Sequence, residues 1–289
     1  LNHGYTNHKV YDAVNDISKM IHEVDPHHLT TTTTSGINKE LADVIKDRAP
    51  DLDFLSIQVY AAIANLPGDI KKSGWTGPYM ITEWGATGHW EVAVTDWGSP
   101  IEQNSTIKAD RYLERYNSKI APYMNQCIGY YVFLWGQKQE RTPTWYGMFL
   151  EDGTATACVD AMHYVWNNTW PENRAPQMEA LLLAEKKAHE NIRLKSNQSY
   201  VAKAIVLDMD GDEIAYKWEI KAESDADQEG GDAEKIPDTI TGLIENSDLK
   251  TITLTTPNKE GPYRLFVYAY DGNGHAAHAN IPFFVEGGI

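Results

Sequence analysis

The chain of 289 residues is short of cysteine, of basic side chains and of long apolar runs, and each shortage excludes something. Two cysteines, Cys127 and Cys158, form at most one pair and have no metal-ligand spacing. Neither a disulfide framework nor a cysteine metal site is expected, and both thiols are expected to be free and buried. Lys and Arg total 25 against 41 Asp and Glu, a net charge of −16. Nucleic acids and anionic membrane surfaces are polyanions, so both are excluded as partners. No window approaches the roughly 18 consecutive apolar residues of a membrane span. The opening Leu1-Asn2-His3-Gly4-Tyr5 lacks an initiator Met and the charged and apolar regions of a signal peptide, so a preceding segment is expected to have been removed. There is no phosphate-binding glycine loop and no nucleophile elbow, and neither cofactor nor metal is expected.

Aromatic residues are abundant, with nine Trp and sixteen Tyr. Most belong in a core, but flat aromatic faces also stack on sugar rings, and an acidic surface suits a neutral glycan.

Up to residue 173 helix-like and strand-like segments alternate. Val10, Val14, Ile17, Ile21 and Val24 recur at three- and four-residue spacing and predict an amphipathic helix ending near Asp25-Pro26. Strands are expected over Leu29–Thr34, Phe54–Tyr60, Tyr79–Glu83 and Ile128–Trp135, with helices near 38–47, 67–73, 103–120 and 156–168. Short apolar strands alternating with helices imply parallel strands joined by crossovers. Trp170-Pro171-Glu172-Asn173-Arg174-Ala175-Pro176 breaks the pattern and suggests a boundary at 173/174. Beyond it, Ala204–Leu207, Ala215–Ile220, Thr251–Leu254, Tyr263–Tyr270 and Ile281–Val285 read as the strands of a β-sandwich. The acidic run Glu223–Asp232 reads as a solvated mobile loop. Asp208-Met209-Asp210-Gly211-Asp212 has the alternating oxygens of a calcium loop, but no closing Glu, and reads first as a hairpin turn.

Glu83 is the residue that points to chemistry. It ends a predicted parallel strand, the place where such folds put their active sites, and is followed by Trp84 and a flexible Gly85. Tyr60 ends the preceding strand, within reach of Glu83, and Trp135 ends the following one. A long excursion from Gly88-His89-Trp90-Glu91 to Trp97-Gly98-Ser99-Pro100 follows Glu83, and long connections at such a face are usually functional.

These residues bring out a resemblance. Thr82-Glu83-Trp84-Gly85, Tyr60, Trp135-Gly136 and the turn Trp145-Tyr146-Gly147-Met148-Phe149-Leu150-Glu151-Asp152-Gly153 resemble strands six to eight of the (β/α)8 barrels of retaining glycoside hydrolases, as in families 2 and 5. The segment after 173 is similar to Ig-like or cadherin-like modules of secreted carbohydrate enzymes. The resemblance implies an α/β fold: a partial TIM barrel, about strands five to eight, over residues 1–173, then an all-β Ig-like sandwich over 174–289. It implies Glu83 as nucleophile, Tyr60 as its orienting hydroxyl, and Trp135, Trp84, His89, Trp90 and Asn2 as carbohydrate contacts. It also implies an acid/base Glu within an Asn-Glu dipeptide directly upstream of Leu1. A retaining mechanism needs two carboxyl groups about 5 Å apart, so this chain alone is expected to be inactive. Half a barrel is expected to pair with the missing half or with another copy. The expected setting is extracellular or periplasmic. Two alternatives stay open: a transglycosylase using the same nucleophile, and a non-catalytic glycan-binding protein.

Overall fold

The computed structural model describes residues 7–226 and 232–287; Asn2 lies outside them. The chain divides into two compact units, one of Leu1–Ala86 with Glu114–Phe133, the other of Thr87–Leu113 with Leu134–Ile289.

The first unit is built on four strands, β1 (Thr31–Thr34), β2 (Phe54–Gln58), β3 (Tyr79–Gly85) and β4 (Cys127–Phe133), in the order β1-β2-β3-β4. Every neighbouring pair is parallel, as alternation with helices predicts. Helices α1 (Lys9–Val24), α2 (Lys39–Arg48) and α3 (Leu66–Ser73) belong to this unit. Local chemistry sets their ends. Asn38 caps α2 by accepting from the Leu41 amide at 2.8 Å, while Lys46 and Arg48 sit at its negative end. Gly74, at φ +70°, closes α3 in the left-handed conformation. The fully buried side chains include Leu55, Ile57, Tyr79 and Ile81 from the sheet and Ala42, Ile45, Ile63 and Leu66 from its connections.

Helix α1 departs from the expected orientation. Its buried residues are Tyr11, Asn15 and Ser18, not the apolar stripe. Asn15 exchanges hydrogen bonds with Asp51 at 2.9 Å, and Ser18 pairs with Thr30 at 2.6 Å. Hydrogen bonding therefore decides which face docks, and Ile17, Met20 and Val24 remain 55%, 50% and 78% exposed.

In the second unit, β6 (Gln177–Leu183), β8 (Ser199–Leu207), β10 (Ile244–Glu245) and β11 (Thr251–Thr255) form an antiparallel sheet in the order β10-β11-β8-β6. A second sheet runs β5-β13-β12-β9, from β5 (Ala155–Thr156), β9 (Ala215–Ala222), β12 (Gly261–Tyr270) and β13 (His275–Glu286), with β7 (Arg193–Lys195) also paired to β13. One core joins them: Met178, Leu183, Ala202 and Leu254 from the first sheet, Trp218, Ile220, Leu265, Val267, Ile281 and Phe283 from the second.

The other face of β12 and β13 is buried as well. Segments 87–113 and 134–156 belong to this unit, so its limits do not coincide with a boundary at 173/174. A buried polar network shows why. Glu102 Oε1 accepts from Lys108 Nζ at 2.5 Å and Thr144 Oγ1 at 2.9 Å; Oε2 accepts from Thr142 Oγ1 at 2.6 Å and Asn280 Nδ2 at 2.5 Å. Arg264 extends the network, donating to Asn280 at 2.6 Å, to the Pro100 carbonyl at 2.8 Å and to Glu223 at 2.7 Å. Glu223, expected in a solvated loop, is thus the partner of a buried Arg. The rest of that run falls partly outside the described residues.

The Asp208–Asp212 segment is an ordered turn between β8 and β9. Asp208 Oδ1 accepts from the amides of Asp210, Gly211 and Asp212 at 2.8–3.0 Å. Among the described residues no group of three His, Cys, Asp or Glu is disposed to hold a metal ion, and no helix is long and apolar enough to cross a membrane. Cys127 and Cys158 are free and buried, as expected.

Burial alone would raise the Glu102 carboxyl, but the Lys108 charge, His278 and the hydrogen bonds outweigh it and hold it down at about 2. A group depressed on folding contributes stability above its unfolded value, near 4.5, and loses it as pH falls towards about 2. Acid titration followed by circular dichroism is expected to show the second unit weakening across that window. Lys108→Met, which leaves a buried carboxylate without its cation, is expected to cost about 3–5 kcal/mol in urea unfolding. Glu102→Leu combined with Lys108→Met is expected to cost less than Lys108→Met alone.

Candidate active site

Strand β3 does not alternate regularly. Tyr79 and Ile81 are buried and Met80 and Thr82 half-buried, but Glu83 is again half-buried and Trp84 and Gly85 are buried. The pairing register slips at the same place, between Ile81 and Trp84 towards β4 and between Ile57 and Gln58 towards β2. An irregularity of this kind re-aims one side chain and is common beside active sites. Here it turns the Glu83 carboxylate towards β2.

Two side chains of the β2 end meet it. Gln58 Nε2 donates to Glu83 Oε1 at 2.5 Å, and the Tyr60 hydroxyl donates to Oε2 at 2.8 Å. The Val59 amide donates to the Glu83 carbonyl at 2.9 Å and carries the pairing one step beyond β2. Tyr60 is held from its far side by Phe133, ring centroids 6.0 Å apart and nearly perpendicular. Arg115 donates to the Gly85 carbonyl where β3 ends. Both carboxylate oxygens are thus held by neutral donors, which fix its orientation. The sequence reading placed Tyr60 correctly beside Glu83 and missed Gln58. The signal available was its position two residues before Tyr60, on the same face of the strand.

Trp84 requires a correction. It was expected as a sugar platform, but it is fully buried at 0% exposure, with its ring against Tyr130 at 6.0 Å. A ring with no free face cannot stack on a ligand. The strand irregularity that turns Glu83 outward returns Trp84 to the core.

The remaining candidates belong to the second unit. Trp90 is 59% exposed and packs edge-on to His89 at 4.9 Å. It leans over Gly88, where a Cβ would lie 2.7 Å from Trp90 Cζ2, so only glycine permits that placement. The His89 amide donates to the Tyr146 hydroxyl at 3.1 Å, and its Nε2 lies 3.6 Å from Glu140 Oε1. Burial, then the charge of Arg141, lowers the His89 pKa against the opposing pull of Glu140 and Glu234. Glu140 also pairs with Lys138 at 2.7 Å, and Glu91 accepts from the Gly88 amide at 2.9 Å, so both carboxylates have structural partners. Trp135, 54% exposed, packs against Phe149 and Trp166. The structure therefore joins Glu83 with Tyr60 and Gln58, and separately His89 with Trp90, Tyr146 and Glu140.

No family profile matches the sequence, and no curated protein does. Solved structures with some likeness include the α-L-arabinofuranosidase of Thermotoga maritima in complex with arabinose, 11% identical, covering 96% of this chain and 62% of that one at a TM-score of 0.42. A nucleoside hydrolase-related protein of Saccharophagus degradans, associated with carbohydrate metabolism, is 12% identical over 95% of this chain and 75% of its own, at a TM-score of 0.29. The PKD domain of the KIAA 1837 protein is 17% identical over 35% of this chain and 84% of its own, at 0.23. Likenesses this weak carry no conclusion about this chain.

The two tryptophans are expected to separate in chemical denaturation. Trp84→Ala should cost about 3–5 kcal/mol, as for other buried Trp truncations. Trp90→Ala should stay within about 0.5–1 kcal/mol. A cost below about 1 kcal/mol for Trp84→Ala would return its ring to the surface.

Proposed function

We propose that this chain carries the nucleophile half of a retaining β-glycoside hydrolase acting on a poly- or oligosaccharide outside the cytoplasm. The four parallel strands of the first unit then belong to the second half of a (β/α)8 barrel, and the two sheets of the second unit form an Ig-like sandwich. The observation that supports this most is the Glu83 carboxylate at the C-terminal end of a parallel strand, with one oxygen held by Gln58 and the other by Tyr60. Four parallel strands in sequential order suit half of an eight-strand barrel.

On this reading Glu83 attacks the anomeric carbon while the glycosidic C–O bond breaks, and the leaving oxygen takes a proton from a second carboxyl group. Water, deprotonated by that second group, then releases the sugar from Glu83. Tyr60 and Gln58 keep the carboxylate aimed between turnovers. His89, Trp90 and Trp135 are proposed sugar contacts, and Asn2 remains a candidate from sequence alone. The second carboxyl group is not assigned among the described residues, so efficient turnover is expected only with activated leaving groups.

The same reading explains the exposed stripe of α1. Ile17, Met20 and Val24 lie on a helix of the unit whose outer strand is β1. Further β/α units, from the other half-barrel or another copy, would cover them.

Dinitrophenyl 2-deoxy-2-fluoro-β-glycosides, whose leaving group departs without a proton, are expected to label the peptide containing Glu83, read by mass spectrometry. Glu83→Gln should abolish the label. Tyr60→Phe should slow it about 10- to 100-fold, the worth of one hydrogen bond to a charged group. Labelling at any other carboxylate, or none across a panel of sugars, would reject the assignment. Light scattering of this chain alone is expected to show self-association, and a monodisperse monomer would count against the pairing.

A further inference from the structure

Between residues 132 and 200 the exposed large hydrophobic side chains are three tryptophans, Trp135 at 54%, Trp166 at 51% and Trp170 at 37%. Two of them are in contact: the Trp135 and Trp166 rings are 5.7 Å apart at 47°, and Phe149 backs Trp135 edge-on at 5.1 Å. Trp170 is stacked on Tyr164 at 4.7 Å and covered on the other side by the Arg174 guanidinium at 3.8 Å. Trp170 is therefore satisfied on both faces, and the pair with faces to offer is Trp135 and Trp166.

The sequence reading singled out Trp135 alone. Trp166 sits in the last turn of the helix Ala157–Asn167 and is legible in the sequence only as part of that helix. Keeping two large aromatic faces wet forfeits the burial each would gain in a core, so the pair calls for an occupant.

We infer that Trp135 and Trp166 form one platform for a polymeric, uncharged glycan, so that the protein grips a chain rather than a single sugar. This rests on the glycosidase reading for the kind of ligand, and extends it from a reacting sugar to a polymer held along an aromatic surface. Two observations choose a glycan over another occupant. Asn167, Asn168 and Thr169, exposed beside Trp166, supply uncharged hydrogen-bonding groups. The net charge of −16 disfavours a polyanion. The two rings, 5.7 Å apart and tilted by 47°, offer adjoining faces on which more than one sugar of a chain can rest.

The test is affinity electrophoresis of the full chain through gels holding xylan, mannan, arabinan or soluble cellulose derivatives, with polygalacturonate as the charged control. At least one neutral polymer is expected to retard the wild type, and polygalacturonate is not. Trp166→Ala and Trp135→Ala should each weaken retardation about tenfold, as for a central aromatic anchor. Trp166→Phe, which keeps a ring on the same helix turn, should recover part of it and so exclude a folding defect. Retardation by no neutral polymer, or retardation unchanged in both Ala variants, overturns the platform. So does self-association that Trp166→Ala abolishes in the absence of polymer binding. The readout needs no turnover. Failed Glu83 labelling with intact, Trp166-dependent retardation would reject the hydrolase and keep the platform; the opposite pattern would reject the platform alone.

Discussion

Both oxygens of the Glu83 carboxylate are occupied by donors from the end of β2, and neither donor carries a charge. That arrangement depends on a local irregularity of β3. In a regular strand Glu83 would share the face of Ile81 and point into the core, and Trp84 would face outward. The register slip on either side of β3 exchanges them. A single backbone feature thus puts the carboxylate where chemistry is possible and seats the largest neighbouring side chain in the core. Tyr60, braced by Phe133, and Gln58 then fix the angle at which the carboxylate presents itself.

The second unit follows a different physical logic. One face of the β12–β13 sheet is covered by hydrocarbon shared with the other sheet, and the opposite face by a small apolar cluster of Leu150, Phe266, Tyr268 and Ala276 beside a polar network centred on Glu102. A buried carboxylate is tolerated only when all its acceptor positions are filled, and Glu102 receives four hydrogen bonds. The network takes residues from the excursion after β3, the loop after β4 and the last strand. The loops expected to serve only the active-site face therefore also have a structural duty. His89 and Trp90 lie in one of them, so the segment that carries them is also anchored by the Glu102 network.

Much of the architecture was legible in the sequence. The parallel strands and their helices follow from apolar runs alternating with helical spacing, and the Asp208–Asp212 turn from its Asx chemistry. What was not legible has physical causes. Gln177-Met-Glu-Ala-Leu-Leu-Leu has strong helix formers, yet is strand β6, because Leu181 and Leu183 reach the sandwich core from alternate positions and an irregularity between Met178 and Ala180 lets Met178 join them. The helix expected through residue 120 stops at Arg115 and passes through a wide turn, Tyr116–Ile120, before Pro122. In α1 the apolar periodicity gave the helix but the wrong buried face, since Asn15 and Ser18 have partners that only the fold supplies. The strand irregularity at Glu83 has no signature in a single sequence, so Trp84 was misplaced and Gln58 overlooked.

The central claim is that Glu83 is the nucleophile and not the acid/base group or a structural carboxylate. The most direct measurement is azide rescue of Glu83→Gly with a dinitrophenyl β-glycoside that the wild type accepts, with the product configuration read by proton NMR. Azide occupying the space of the missing carboxylate should restore turnover and yield the α-glycosyl azide. A β-glycosyl azide, or a variant that cleaves the substrate as well as wild type without azide, would contradict the account.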